Sequence, residues 1–191
     1  MSLFESEHPP GLIFIPNWLS QAEHDAAVKE VDSLPYDENL SRRVQHYGAK
    51  YDYSSAAVHE RGSAPTIPPV LDAIGTRLKD EGFFTLSPDQ VIVNEYVGNQ
   101  GIAAHIDRLT FGSAVATISL LETWPMDFVS PSGVKISVEL EVCSLAVMTG
   151  ESRIEWTHTI PKRKSDLVGG LRKTRGRRIS LTFRTLPHDQ V

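Results

Sequence analysis

The stretch Arg178-Ile179-Ser180-Leu181-Thr182-Phe183-Arg184 alternates strictly between polar and apolar side chains. Successive side chains of a β-strand point to opposite faces, so this period of two predicts a strand with one apolar face. The odd-numbered residues form the apolar face, and the even-numbered residues, which include both arginines, form the polar one. Two interpretations of the polar face stay open. It faces solvent, as in an ordinary half-exposed strand, or it lines a cavity, where a buried guanidinium requires an anion.

Short β-prone runs fill most of the chain between residues 88 and 186. Turn signals such as Ser132-Gly133 and Gly169-Gly170 separate them. Many short strands joined by turns are typical of a sandwich or barrel, such as a jelly roll. The predicted strands are Gln90–Val97, Ala103–Ile106, Ser113–Leu121, Met126–Ser130, Val134–Leu140, Ser144–Met148, Ile154–Thr159 and Arg178–Thr185.

The first half of the chain has a helical pattern instead. Ser20 and Glu23 have the spacing of a capping box and predict the start of a helix. Helices before strands indicate an α+β fold with helices on one side of a β core. The predicted elements are a strand over 11–16, a helix from Ser20 to about Ser33, a hairpin or ordered loop over 42–53 and a helix over about 70–81.

Length and composition indicate one domain over residues 1–191, because 40% hydrophobic and 23% charged residues can form a full core. No apolar run approaches the roughly 18 residues that span a membrane, and the first residues lack the order of a signal peptide. The single Cys143 excludes an internal disulfide and a cysteine-based zinc site. We therefore expect a monomer in the reducing cytoplasm, or in the nucleus of a eukaryotic cell, with no membrane partner.

Charge is distributed unevenly along the chain. The formal net charge of −5 argues against a generic nucleic-acid binder. Yet nine of the nineteen Lys and Arg residues lie between Lys162 and Arg184, against one acid, Asp166. This basic stretch either attracts phosphates or forms a solubilising surface loop.

His105-Ile106-Asp107, with a further histidine at His158, has the composition of a 2-His-1-carboxylate metal site. On a strand, residues i and i+2 point to the same side, so His105 and Asp107 can reach one metal while Ile106 packs away. Three protein ligands on one face of Fe(II) leave three positions for a chelating co-substrate and dioxygen. Alone, the pattern is one that chance supplies in a chain with seven histidines.

Five segments follow one another in the order and spacing of the AlkB-type family, and the chain resembles that family over about residues 88–186. They are N-E-Y (94–96), H-I-D (105–107), M-T-G-E-S-R (148–153), W-T-H (156–158) and R-R-I-S-L-T-F-R (177–184). R-R-V-Q-H-Y-G and K-Y-D-Y-S, within 42–54, extend the likeness towards the N-terminus. The third and fourth segments are most similar to the branch that hydroxylates wobble-uridine side chains in tRNA.

The resemblance implies an Fe(II)- and 2-oxoglutarate-dependent dioxygenase with a double-stranded β-helix (jelly roll), N-terminal helices over about 1–87 and a nucleotide-recognition lid. Fe(II), 2-oxoglutarate and O2 are the implied cofactor and co-substrates. His105, Asp107 and His158 match the catalytic iron ligands. Arg178 matches the arginine at the distal carboxylate of 2-oxoglutarate and Arg184 the one at its 1-carboxylate. The other implied co-substrate contacts are Asn94, Tyr96 and Ser180, the last in place of an asparagine of the best-known repair enzyme.

The resemblance leaves the substrate open. DNA-repair members carry an acid two residues after the ligand aspartate, and this chain has Leu109 there, after Arg108. Each tyrosine between 47 and 53 either stacks on a flipped base or packs in the core, and Arg153 either supports the site or touches substrate. Arg42, Arg43 and the basic residues of 162–177 are expected to meet phosphates. The candidate substrate contacts are Tyr47, Tyr51, Tyr53, Arg108, Leu109 and Arg153.

The sequence thus predicts an oxygenase that hydroxylates or oxidatively demethylates alkylated or modified bases in DNA or RNA. Two alternatives stay open. Leu109 and the net charge of −5 favour the same chemistry on a protein or a small molecule. A non-catalytic β-barrel binding module is the other alternative, although such a relative should have lost a ligand or an arginine, and this sequence has all of them.

Overall fold

Strands dominate the part of the chain that the computed structural model describes, which comprises residues 8–52, 57–61 and 64–186. All strand pairs there are antiparallel. In chain order the elements are β1 Leu12–Ile15, α1 Gln21–Asp32, β2 Arg43–Asp52, β3 Ala57–Arg61, α2 Pro69–Asp80, β4 Gln90–Val97, β5 Ile102–His105, β6 Val115–Leu120, β7 Trp124–Val129, β8 Lys135–Leu140, β9 Leu145–Met148, α3 Gly150–Ile154, β10 Thr157–Ile160, β11 Ser165–Val168, β12 Leu171–Thr174 and β13 Arg177–Arg184.

The strands form two stacked sheets and a separate hairpin. The large sheet has the order β1-β9-β6-β13-β4-β2-β3, and the small sheet has the order β5-β10-β7-β8. Along the chain, β4 to β10 and β13 pass repeatedly from one sheet to the other, which is the winding of a jelly roll. The third unit is the hairpin β11–β12. The predicted α+β jelly roll is therefore confirmed.

The strand β13 is at the centre of the large sheet, where it pairs with β4 on one side and β6 on the other. Its odd-numbered apolar residues pack into the core cluster that also contains the buried faces of α1 and α2. Ser180, Thr182 and Arg184 line the space between the two sheets. Of the two interpretations of the polar face, the structure confirms the one with a cavity.

The helices α1 and α2 lie at the predicted positions. Ser20 and Glu23 form the predicted capping box, in which the Ser20 backbone N–H donates to Glu23 Oε2 at 2.8 Å. Pro69 begins α2, where its missing N–H costs no hydrogen bond. None of the helices in the described residues is long and apolar enough to cross a membrane. The role of the N-terminal half as a nucleotide-recognition lid stays a prediction.

Three regions differ from the sequence prediction. The strand predicted over Ile154–Thr159 begins only at Thr157, because Thr149 and Ser152 cap the short helix α3 just before it. The hairpin or loop predicted over 42–53 is instead a ten-residue strand, β2, that joins β4 to β3. The hairpin β11–β12 was not predicted, although the Gly169-Gly170 turn between its strands was.

Candidate active site

The two predicted histidine ligands face each other across two neighbouring strands. His105 is the last residue of β5, and His158 lies opposite it on β10 with the ring centroids 4.3 Å apart. Asp107 lies in the loop after β5, since the strand ends at His105 and not at Ile106 as predicted. The ligand atoms of the three side chains lie within 4.8 Å of one another. The structure therefore brings the three predicted iron ligands together.

The surroundings of the two histidines fit a metal site. His105 Nδ1 lies 2.8 Å from the carbonyl oxygen of Ala103, which can only accept, so Nδ1 donates, and Nε2 is the ring nitrogen that lies near Asp107. Burial lowers the pKa of His158 to about 4, so its ring is neutral at physiological pH. Its buried Nδ1 has no hydrogen-bond partner among the described residues. Two imidazoles beside a carboxylate are a donor set that suits Fe(II).

Two arginines hold Asp107 in place. Arg184 Nη2 donates to Asp107 Oδ1 at 2.7 Å. Burial alone would raise the pKa of Asp107, but the positive charges around it, with Arg184 the largest of them, together outweigh burial and hold that pKa below its usual value. Arg153 donates from Nη1 and Nη2 to the carbonyl oxygens of Asp107 and Arg108, both at 2.7 Å. Arg153 is 2% exposed and outside the cavity lining, so its contacts favour support of the ligand loop over the predicted contact with substrate.

A cavity of about 500 Å³ opens beside the candidate metal ligands, between the two sheets. Four of the five predicted co-substrate contacts line it, namely Asn94, Tyr96, Ser180 and Arg184. Neighbouring strands set this arrangement, because Asn94 is opposite Ser180 in the register of β4 and β13. The cavity also takes in Arg108, one of the predicted substrate contacts.

Arg178, the fifth predicted co-substrate contact, lies behind this lining. It is opposite Tyr96 in the register, and its guanidinium carbon is 5.7 Å from the centre of the Tyr96 ring. Nη2 donates to Ser119 Oγ at 2.8 Å, while Nε and Nη1 have no partner among the described residues. Burial lowers the pKa of Arg178 to about 10, which still leaves it protonated at neutral pH. Its pairing with the distal carboxylate of 2-oxoglutarate stays a prediction.

Of the three tyrosines considered for base stacking, the structure describes the side chain of Tyr47 alone. Tyr47 is 6% exposed and belongs to the core cluster beneath the helices, and its hydroxyl donates to Gln45 Oε1 at 3.1 Å. The stacking role predicted for Tyr47 is therefore contradicted, because β2 turns this side chain inward. Tyr51 pairs with Val58 in β2 and β3, but its side chain, like the whole of Tyr53, is outside the described part. Leu109 is 72% exposed.

Several arginines predicted to meet phosphates are bound to acids of the chain instead. Their partners are two buried carboxylates, each shared by two arginines, which leaves these cations less available to a ligand. The pairs are Arg43 and Arg177 with Glu95, and Arg163 and Arg175 with Asp166. The lysines of the basic stretch are exposed at Lys162, Lys164 and Lys173.

The sequence did not predict that Arg42 lies in the cavity wall or that Ser119 contacts Arg178. Arg42, expected at a phosphate, lies in the cavity wall, where its Nε donates to Asn94 Oδ1 at 2.8 Å. Its position depends on the pairing of β2 with β4, which a hairpin or loop over 42–53 does not imply. Ser119 follows from the alternation in β6, because it is opposite Ser180 and shares its face.

Comparison with known proteins agrees with this geometry. The family model described as the 2OG-Fe(II) oxygenase superfamily matches residues 34–184. The chain belongs to this superfamily. It is an AlkB-type oxygenase, with the Fe(II), 2-oxoglutarate and O2 dependence predicted from its motifs.

Two curated relatives are similar to this oxygenase in sequence, and one solved structure is similar to it in fold. The tRNA (carboxymethyluridine(34)-5-O)-methyltransferase ALKBH8 of Mus musculus is 35% identical over 92% of the oxygenase, which spans 30% of that relative. The alkylated DNA repair protein ALKBH8 homolog of Arabidopsis thaliana is 30% identical over 96%, and the oxygenase spans 61% of its length. The structure of OsALKBH1 shares the fold with a TM-score of 0.71 at 20% identity, covering 93% of this chain and 98% of that one.

The side chains in and around the cavity have separate tasks in the oxygenase reaction. His105, Asp107 and His158 would hold Fe(II), which would supply the activation of O2 that is coupled to oxidation of 2-oxoglutarate to succinate and carbon dioxide. Arg184 and Arg153 fix the carboxylate and the backbone of the ligand loop, so the ligand set is already organised. The apolar walls, which include Met126 and Ile160, exclude water from the space beside the ligands.

Proposed function

We propose that this oxygenase hydroxylates or oxidatively demethylates a modified base in nucleic acid. The observation that carries the proposal is the complete set of iron ligands in a cavity of about 500 Å³, which has room for a small dicarboxylate and part of a base. Hydroxylation of a carbon attached to a base nitrogen gives a hemiaminal, which releases formaldehyde and the unmodified base. Hydroxylation of a carbon-linked side chain instead leaves the hydroxyl group on the product.

RNA, and tRNA first, is the nucleic acid that we propose. The support is the similarity to a relative named for a tRNA modification and the motif wording of residues 148–158. Leu109, where repair members carry an acid, argues against direct recognition of a methylated adenine or cytosine. Its 72% exposure leaves this apolar side chain free to contact a base. We propose that the oxygenase acts as a monomer in the cytoplasm, or in the nucleus of a eukaryotic cell.

Succinate formation tests the chemistry. Purified protein with Fe(II), ascorbate and 2-oxoglutarate under air is expected to form succinate, and His105→Ala is expected to lose at least about 100-fold of that rate because a ligand is gone. Equal rates for wild type and His105→Ala would contradict the chemistry. Mass spectrometry of nucleosides after incubation with total tRNA, alkylated RNA and alkylated DNA then identifies the base that changes.

A second candidate function keeps the chemistry but takes a protein or a small molecule as substrate. The pairing of four arginines with acids of the chain favours it, because it reduces the positive surface available to phosphates. The same nucleoside experiment separates the two. Turnover of any nucleic acid rejects the second candidate, and succinate formation that no nucleic acid stimulates rejects the first.

A further inference from the structure

Arg42 enters the active-site cavity from outside the jelly roll. It comes just before β2, and its guanidinium lies in the cavity wall with its carbon 5.8 Å from the centre of the Tyr96 ring. The preceding residue is fixed as well, because Gln100 Nε2 donates to the carbonyl oxygen of Ser41 at 2.8 Å. Arg42 is thus held at the cavity by the strand that follows it and by the residue before it.

The contact with Arg42 determines how the Asn94 amide is turned. A guanidinium carries only donors, so the amide atom 2.8 Å from Arg42 Nε must be the oxygen Oδ1. The amide nitrogen of Asn94, which lines the cavity, then has both hydrogens available to an acceptor in the cavity. Without Arg42 the amide could rotate and offer its oxygen, which would repel a carboxylate.

The charge balance of the cavity leaves Arg42 without a carboxylate. Asp107 is the one acid in the described cavity wall, and it pairs with Arg184. No ion pair among the described residues includes Arg42. Arg42 binds Asn94, which is opposite Ser180, so it lies at the half of β13 that begins with Arg178 and not at the half that ends with Arg184. Six residues of strand, about 20 Å, separate those two arginines.

We propose that Arg42 is a positioning residue for 2-oxoglutarate. It turns the Asn94 amide nitrogen towards the co-substrate and adds a positive charge to the half of the cavity that Tyr96 and Arg178 border. The co-substrate carboxylate remote from the iron ligands therefore binds a site to which a residue outside the jelly roll contributes. Co-substrate affinity depends on the segment before β2 being in place.

Binding of 2-oxoglutarate to protein loaded with Mn(II), measured by calorimetry, tests the proposal without turnover. Arg42→Met is expected to weaken 2-oxoglutarate binding by about tenfold or more, because a charge-assisted contact and the amide orientation are lost together. Arg42→Lys, which keeps the charge, is expected to lie between Arg42→Met and wild type. In turnover, Arg42→Met should raise the KM for 2-oxoglutarate, while kcat at saturating 2-oxoglutarate stays within about twofold of wild type.

Lys79→Met, at an exposed position of α2, is the matched control and should bind 2-oxoglutarate as wild type does. Circular dichroism establishes that each variant is folded, and Arg42→Lys carries the test if Arg42→Met is not. Unchanged 2-oxoglutarate affinity in both variants overturns the proposal. So does a KM that rises only for the nucleic acid, which would make Arg42 a substrate contact. A wild type that does not bind 2-oxoglutarate would contradict the assigned co-substrate and, with it, the role of Arg42.

Discussion

At the scale of single residues, the most unusual group is the guanidinium of Arg178. It is 0% exposed, and two of its three nitrogens have no hydrogen-bond partner among the described residues. A buried charge without a counter-ion destabilises the folded chain. Its neighbours Tyr96 and Ser119 are neutral, and no ion pair among the described residues includes Arg178, so we expect a ligand to supply the negative charge.

Arg178→Met is therefore expected to separate stability from co-substrate affinity. Without 2-oxoglutarate, the free energy of unfolding of the variant should equal that of wild type or exceed it by up to about 2 kcal/mol, because the desolvated charge is gone. Its KM for 2-oxoglutarate should rise by about tenfold or more. Urea unfolding and initial rates of succinate formation measure the two effects. An unchanged KM would show that another arginine binds the distal carboxylate.

The sequence alone predicted most of the residues of this site but not that they line a buried cavity. The period of two in β13 placed Arg178 and Arg184 on one face, and the spacing of His105, Asp107 and His158 supplied the ligands. Alternation cannot tell a cavity from solvent, because both favour polar side chains. It also could not place Arg42, whose position follows from the pairing of two strands distant in the chain.

At the scale of elements, a buried ion pair between Arg175 and Asp166 closes the hairpin β11–β12, and the same arginine contacts the jelly roll. Arg175 Nη2 donates to Asp166 Oδ1 at 3.0 Å, and its Nη1 donates to the carbonyl oxygen of Pro161 at 2.7 Å. The guanidinium carbon also lies 4.2 Å from the centre of the Trp124 ring. Sequence did not predict these strands, because every residue of β12 is exposed and the buried face of the four-residue β11 carries an acid, Asp166, beside Val168.

Arg175→Met is expected to destabilise the protein by about 3 kcal/mol, since it leaves the buried Asp166 with a single, partly exposed partner. Arg163→Met removes that other partner of the same carboxylate. Arg163 is 41% exposed at its side chain, so its loss should cost less than about 1 kcal/mol. Urea unfolding of both variants gives the comparison. Equal losses would contradict the view that burial decides the strength of the pair.

At the scale of the whole molecule, a charge network joins the helix layer to the large sheet. Glu95 of β4 is 1% exposed and accepts from Arg43 of β2 and Arg177 of β13. Arg177 also pairs with Asp32 at the end of α1. Burial alone would raise the pKa of Glu95, but the hydrogen bonds and the positive charges of both arginines together outweigh burial and hold that pKa below its usual value.

The network makes stability depend on pH. Because the folded-state pKa of Glu95 is below the ordinary value of 4.5, its contribution is present above pH 4.5 and is lost as the pH falls through the folded value. Glu95→Gln should therefore be less stable than wild type at pH 7, by about 1–3 kcal/mol, with a difference that shrinks in acid. Urea unfolding between pH 7 and 3 measures it.

Glu38→Gln is the control for this prediction. Glu38 is 3.9 Å from Arg43 and 73% exposed at its side chain, so its loss should change stability by less than about 0.5 kcal/mol at any pH. If wild type and Glu95→Gln differ in free energy of unfolding by the same amount at every pH, the pH dependence of stability does not come from the Glu95 charge.

The central position of β13 determines when this fold can form during synthesis. The ribosome makes β4 and β6 long before β13, yet in the finished sheet each of them pairs with β13 along one edge. Until β13 emerges, both edges have unpaired backbone groups that can join foreign strands. The same late strand brings Ser180 and Arg184 to the cavity, so a nascent chain has no 2-oxoglutarate site before its sheet closes.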